Sequence, residues 1–470
     1  MIFEKFINWI RGVYNKMFDK VGSKFNTNVA ISDKMINSIN LWTKIYENKS
    51  PWLDEKVFSL ELGSSISREI ATMVTLEFKS DITGSPRADF INKCYKNIKS
   101  SLRKNVEYAC AKGGMVFKPY VSNKKIYIEA IQADKFLPTE FTSDGKCVAG
   151  IFVCQKQEGR FYLTRLEYHK LLENNNYFIQ NRAFKSYNSD NLGQEIDLHS
   201  VAEWSDIEEE TIILNVEKPL FGYFKIPFAN SIDSDSNIGV SVYSRSIDLI
   251  KEADVQFSRI LWEFEGSELA IDADPTTLQK SKIFSDQFEM PKLKDRLFRC
   301  VGGQSKDGKP FYNVFSPEIR DTPLYNGLNN ILKRIEFNCG LAYGTISDPQ
   351  LIEKTAEEIK TSKQRSYATV SDIQKSLQDA LEDLIYAIDV LCTLYKLAPK
   401  GKYEVSFEWD DSIIVDAQKE QAIMMQEASQ GFIKKEIYLM KRYGVTEEQA
   451  REMMPNEDLE KEQKTEIDEE

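Results

Sequence analysis

Glu408, Asp410 and Asp411 stand together in the segment EWDDS, and a cluster of carboxylates of this kind can hold Mg2+ for two-metal cleavage of a phosphodiester. A structural reading competes with that one. Val405, Phe407 and Trp409 alternate as in a strand, which would end in a polar turn at Asp410 and need no metal. The DFINK, DLI and DLHS segments add no supporting ligand set. Other chemistries lack their parts. The two histidines, His169 and His199, lie in or beside strand-like segments without the HExxH spacing of a zinc protease helix, so each reads as a structural histidine. No GxSxG elbow supports a serine nucleophile. The glycines of AKGGMVFKPY and VGGQSKDGKP do not compose the G-x-x-x-x-G-K-[ST] loop that cradles nucleotide phosphates, so any ATP hydrolysis must come from another protein. Neither an enzyme activity, a cofactor nor a resident metal is expected.

A second set of residues has a geometric value. Thr345, Ile346, Ser347, Asp348, Pro349, Gln350 and Leu351 make a polar break between two helical patterns, a connection able to line a constriction and to move. Taken alone it is an ordinary helix-to-helix loop. One chain carries one such loop, so a lining role requires head-to-tail copies in a cyclic assembly. The helix before it, LYNGLNNILKRIEFNCGLAY, places Leu324, Leu328, Ile331, Ile335 and Cys339 on one apolar face. Lys333, Arg334 and Glu336 on this helix are assigned to contact between subunits, with phosphate the alternative partner for the two cations.

After the break, Thr355 and Glu358 form a capping box that starts a very long helix. Ile359, Tyr367, Val370, Ile373, Leu377, Leu381, Leu384, Ile388, Leu391 and Tyr395 carry its apolar stripe to the stop at Pro399 and Gly401. At about 1.5 Å per residue it reaches on the order of 60 Å, a beam suited to a larger assembly. Upstream, residues 1–22 pattern as an amphipathic helix with Phe3, Phe6, Ile10, Val13, Met17 and Val21 on one face, to be packed on protein rather than membrane. Residues 34–58 contain another helix, and 61–112 read as largely helical. From Met115 to Ile226, runs such as KIYIEAI, GIFVCQ and RFYLTRLEYH alternate as antiparallel strands, which makes the class α+β. A helix over 242–265 comes next. LAIDAD, RLFRCVG and PFYNVFS are strand-like pieces of a polar module between this helix and the one beginning at Asp321.

At 470 residues the chain is long enough for two or three domains, and it has no apolar run of membrane-spanning length and no signal-peptide core. Cytoplasmic residence is the resulting expectation, with no membrane partner. Seven cysteines without a CxxC pair suggest buried, reduced thiols. The net charge of −12 argues against a tight grip on nucleic acid but suits a wall past which DNA slides, since acidic surfaces repel phosphate and oppose lodging. Eight acidic residues and two lysines between Asn456 and Glu470 supply −6 of that charge, and this tail need not face DNA.

The segments RIEFNCGLAYGTISD and EKTAEEIKTSKQRSYATVSDIQKSLQDAL resemble the portal proteins of tailed bacteriophages, in the branch of long-tailed phages of Gram-positive hosts. In the same order, SLELGSSISREIATMVTLEF, YACAKGGMVFKPY, QADKFLPTEF, YLTRLEYH, KPLFGYFKIPFAN, IDLIKEADVQFSRILWEFEGSELAID and FEWDDSIIVD fit that family, so the resemblance runs through residues 1–450 and omits the tail. It implies a portal fold in a cyclic oligomer. The N-terminal region and mixed wing would span 1–241, the two-helix stem 242–265 and 317–343, and the α/β clip 266–316. A tunnel loop at 344–354, a long wing helix at 355–398, a wing strand at 399–416 and crown helices with the acidic tail at 417–470 would complete it. It further implies a dodecamer at one capsid vertex, assembled in the host cytoplasm and passing double-stranded DNA non-specifically for packaging, retention and ejection. Its partners would be terminase, a head-completion or adaptor protein, scaffold and the major capsid protein. A metal nuclease using Glu408, Asp410 and Asp411 and a peripheral membrane protein using residues 1–22 remain the alternatives.

Overall fold

Side-chain caps and left-handed stops cut the helical patterns into shorter rods than apolar periodicity alone would give. The computed structural model describes residues 21–76, 78–189, 191–273, 279–280, 288–289, 298–300, 312–348, 356–409 and 417–454. The expected helix over residues 1–20, the loop residues Pro349, Gln350 and Leu351, the expected Thr355 cap, Asp410, Asp411 and the acidic tail lie outside them. The chain divides into two compact units, residues 1–407 and residues 408–470.

In the first unit, α1 (Asp33–Tyr46) starts where the Ser32 hydroxyl accepts the Met35 N–H, and it buries Met35, Ile36, Ile39, Trp42 and Ile45. It ends at Tyr46. Asn48 takes φ 57°, and the N–H groups of Asn48 and Lys49 return to the carbonyls of Ile45 and Lys44, closing the helix before Pro51. The stretch 61–112 holds α2 (Leu62–Thr75), α3 (Pro86–Ser100) and α4 (Leu102–Lys112), but strand β1 (Lys79–Thr83) interrupts them. Ser85 at the N-cap and Pro86 in the first turn restart the chain as a helix.

Strands β2 (Gly114–Ser122) and β3 (Lys125–Gln132) form a hairpin, and β10 (Gly222–Lys225) adds antiparallel to β2. Between them in sequence, β4 (Phe136–Phe141), β5 (Cys147–Glu158), β6 (Phe161–Leu171), β7 (Asn176–Ser186) and β8 (Gln194–Ile196) pair in chain order, while β9 (Glu210–Leu214) joins β7. The alternating segments of the sequence therefore lie in two antiparallel sheets. Val21 and Phe25, just inside the described chain, pack with Ile151, Leu166 and Phe184 of the larger sheet.

Helix α5 (Ile247–Gly266) leads into β11 (Ala270–Ala273), β12 (Gln279–Lys280), β13 (Phe288–Glu289), β14 (Phe298–Cys300) and β15 (Tyr312–Phe315), and α6 (Asp321–Asn338) returns against α5. The three strand-like segments of the polar module meet in one sheet, with β11 parallel to β14 and antiparallel to β15.

Helix α7 (Ala356–Leu394), 39 residues long, is the beam. Leu377, Leu381, Leu384 and Ile388 are fully buried or nearly so, each contributing roughly 1.5–3 kcal/mol relative to exposure. It packs on β10 and β2 and reaches Tyr177 and Ile213 of the larger sheet through Ala387. Gly222 admits the helix at close range: a Cβ there would lie 2.0 Å from the Ala380 carbonyl oxygen. The helix ends at Leu394, before the expected stop at 398, because Lys396 adopts φ 51° and the Leu397 N–H turns back to the Cys392 carbonyl. Arg87 of α3 holds this end, its Nε 2.6 Å from the Asp389 carboxylate and its Nη1 3.0 Å from the Ala398 carbonyl. Strand β16 (Glu404–Glu408) then pairs with β1.

The second unit contains α8 (Ala417–Ser429), α9 (Lys435–Tyr443) and α10 (Glu447–Glu452). Thr446 and Gln449 form a complete capping box at the start of α10.

Candidate functional site

The polar break begins with a sharp turn at the end of α6. Gly340 takes φ 74°, its N–H bonds to the Phe337 carbonyl, and the Leu341 N–H bonds to the Glu336 carbonyl. This pair of bonds is a Schellman stop, so α6 ends at Asn338 instead of running to 343. Gly340 also presses on α7: a Cβ would lie 2.2 Å from Thr369 Oγ1. Asn338 Nδ2 donates to the Arg245 carbonyl at 3.3 Å, and the buried Cys339 thiol lies 3.7 Å from Ser246 Oγ. Burial pushes that thiol up to about 12, which keeps it protonated and unreactive.

Glu336 organises the residues beyond this turn. Its carboxylate is completely buried and accepts the N–H of Gly344 at 3.2 Å, of Ile346 at 2.7 Å and of Ser347 at 2.9 Å, plus the Ser347 hydroxyl at 2.8 Å. A buried carboxylate is tolerated when its lone pairs are filled, and successive backbone N–H groups make a concavity that fits an anion. The buried Asn329 takes the next N–H, that of Asp348, at 2.8 Å. Thr345 Oγ1 donates to the Ala342 carbonyl at 2.6 Å. The first half of the loop is therefore a folded structure hung from α6.

The guanidinium of Arg365 in α7 sits 4.6 Å from the Phe337 ring centroid and 4.9 Å from that of Tyr343. Such cation–π contacts tie the loop's entry to the long helix. Ile346 is half-buried, Ser347 is buried and Asp348 is exposed. Lys333 is half-buried and Arg334 exposed, whereas Glu336, assigned with them to a subunit contact, spends its carboxylate inside its own chain.

The hairpin α5–α6 is latched at the module end by Arg320, which donates to both oxygens of Glu263 at 3.0 and 2.8 Å. That bidentate bond holds the Glu263 carboxyl below its usual range. At mid-helix, the Asp254 carboxylate receives the Trp52 indole N–H and the Leu60 N–H, both at 2.8 Å, which fixes segment 52–60 along α5. Burial pushes Asp254 up despite these bonds.

The histidines separate. His169 is buried, with Nε2 2.8 Å from Glu167 and Nδ1 2.9 Å from the Tyr177 hydroxyl. Burial pulls it down, against the pull of Glu167, so it is neutral near pH 7. Lys118 of β2 reaches Glu167 of β6 at 2.6 Å, making the cluster a link between the two sheets. His199 is exposed, and its Nδ1 donates to the Ser205 carbonyl at 2.9 Å. Glu408, the described member of the acidic trio, is exposed at the end of β16.

A family model described as phage portal protein, SPP1 Gp6-like, matches residues 73–469. The chain belongs to this family of phage portal proteins. The match begins later than the residue-by-residue resemblance and extends through the acidic tail that the resemblance omitted. No curated protein matches the chain. Family membership implies an oligomeric capsid connector at the virion vertex, with a structural rather than catalytic role. No described helix is long and apolar enough to cross a membrane.

Proposed function

We propose that twelve copies of this chain close into a ring at one capsid vertex of a long-tailed phage, and that residues 344–354 of each copy line the narrowest part of a channel for double-stranded DNA. The hairpin α5–α6 would be the stem, and the strands between its helices the clip that docks terminase during packaging and an adaptor afterwards. The antiparallel sheets and α7 would be the wing, and α8–α10 the crown, facing scaffold, capsid protein and packaged DNA. DNA passage is passive in this reading. Translocation draws on an ATPase elsewhere, and the ring responds to DNA position by shifting between loop arrangements.

The observation that carries the reading is the fixation of residues 344–348 on Glu336, where the end of α6 meets α7 through Gly340 and Arg365. A loop held this way moves when either helix moves. The test places an aryl azide on Asp348→Cys, in a chain whose exposed Cys154 is replaced by Ser. Photolysis during packaging should cross-link this position to DNA, and a probe at Lys49→Cys should not. DNA labelling absent at 348, or equal at both positions, contradicts the assignment.

A further inference from the structure

We propose that Asp197, His199 and Glu209 form a binding site for a divalent transition-metal ion on the larger sheet. One ligand atom from each residue lies within 4.8 Å of the others, and all three side chains are exposed. Around a tetrahedral zinc ion, ligand atoms bonded at about 2.0–2.1 Å stand roughly 3.4 Å apart. Rotation of the exposed Glu209 side chain toward the other two closes that difference without moving the backbone.

The backbone beneath the ligands is fixed. Asp197 caps the short turn Leu198–Ser200 by accepting the His199 N–H on Oδ1 at 2.8 Å. Leu198, Val201 and Trp204 bury this turn and the next against Leu163 and Ala183. Glu209 immediately precedes β9, and the Asn181 N–H of β7 donates to its carbonyl at 2.7 Å. The Asn181 side chain, itself buried, donates to the Glu208 carbonyl at 2.9 Å and accepts from Arg165 at 3.2 Å.

The ring orientation is fixed as well. Donation from Nδ1–H to the Ser205 carbonyl selects the tautomer that leaves the Nε2 lone pair for a metal, the arrangement commonly found behind metal-bound imidazoles. Neither carboxylate takes part in an ion pair among the described residues, whereas nearby Glu195 is paired with Arg182 and Lys24. Two carboxylates then balance a dication. An imidazole nitrogen beside two oxygens selects a transition ion over Mg2+, and three protein ligands leave a position for water.

The test uses the full-length chain and Zn2+ alone. Diethyl pyrocarbonate modifies accessible imidazoles, and His169 is buried, so modification of the peptide containing His199 is read by mass spectrometry. Zn2+ should slow this modification in the parent chain and leave its rate unchanged in Glu209→Gln, which keeps the histidine and removes one charged ligand. Asp197→Asn should behave likewise. A rate insensitive to Zn2+ in the parent chain overturns the site. Equal protection in the parent chain and both variants shows that the imidazole binds zinc by itself and overturns it too, and protection by Mg2+ alone overturns the choice of ion.

Discussion

Glu336 and Ser347 meet twice, through the serine N–H at 2.9 Å and the serine hydroxyl at 2.8 Å, in a buried position eleven residues apart along the chain. Two bonds between the same pair fix direction as well as distance. The start of the connecting loop is thereby set by a side chain of the helix it leaves, and the geometry needs no neighbouring chain.

Glu336→Gln tests that anchor. The amide retains one acceptor oxygen and turns an NH2 toward backbone N–H groups, so at least one buried donor loses its partner. The expected loss is about 2–3 kcal/mol. Thermal unfolding should shift downward, and proteolysis near residues 344–348 should become faster. Unchanged proteolysis would mean that the loop keeps its form without the carboxylate.

Gly340→Ala should destabilise for two separable reasons. The φ of 74° costs an alanine about 1–2 kcal/mol. The new methyl would also lie 2.2 Å from Thr369 Oγ1. Adding Thr369→Ala should relieve most of the steric part, since only the Cβ contact at 3.1 Å remains, and leave the backbone part, a partial recovery readable in denaturant midpoints. Full recovery would contradict the backbone strain.

Arg87→Ala removes the guanidinium that binds the end of α7, leaving the Asp389 carboxylate and the Ala398 carbonyl without it. With the arginine 1% exposed and the aspartate side chain partly open to water, about 3 kcal/mol is expected. Arg87→Lys should recover only part of this, because an ammonium cannot reproduce the fork. Urea unfolding of the three proteins is the measurement.

Stability should fall as pH drops below 6.5, the ordinary value for histidine, because His169 is pulled below it by burial. In that range the unfolded chain takes up a proton that the folded chain refuses, so acid favours unfolding. A second loss begins below 4.5. Burial tends to raise Glu167, but Lys118, then His169 and Arg165, outweigh that and hold it well below this value. Its contribution is present above 4.5 and disappears as pH falls through the folded value. Asp254 acts with the opposite sign just above 3.8, where its raised value lets the folded form bind the proton first. His169→Gln should flatten the pH dependence between 7 and 5 in a series of unfolding curves.

The rods and strands were legible because their apolar periods are long: the α7 stripe, the alternation through Leu166 and Tyr168, and the three strand segments of the module. Helix ends were less so. Gly340 is a residue that commonly stops helices, but the adjoining apolar Leu341 and Tyr343 masked it, and Lys396 carries no composition signal for its left-handed φ. Glu336 falls on the buried face with Leu328, Ile335 and Cys339, a carboxylate among apolar neighbours just before Gly-Thr-Ile-Ser. That placement is the signal for a buried anchor. Asp197 and His199 stand in DLHS, a segment that offers no ligand set by itself, and Glu209 joins them only after two short turns and a strand pairing with β7.

Mass photometry of the purified chain, followed by electron-microscope class averages of the large species, decides whether the copies close into a ring around a DNA channel. A closed ring with a central hole of about a duplex's width is the predicted result. A chain that stays monomeric or dimeric across a wide concentration range, with scaffold protein supplied, would contradict it.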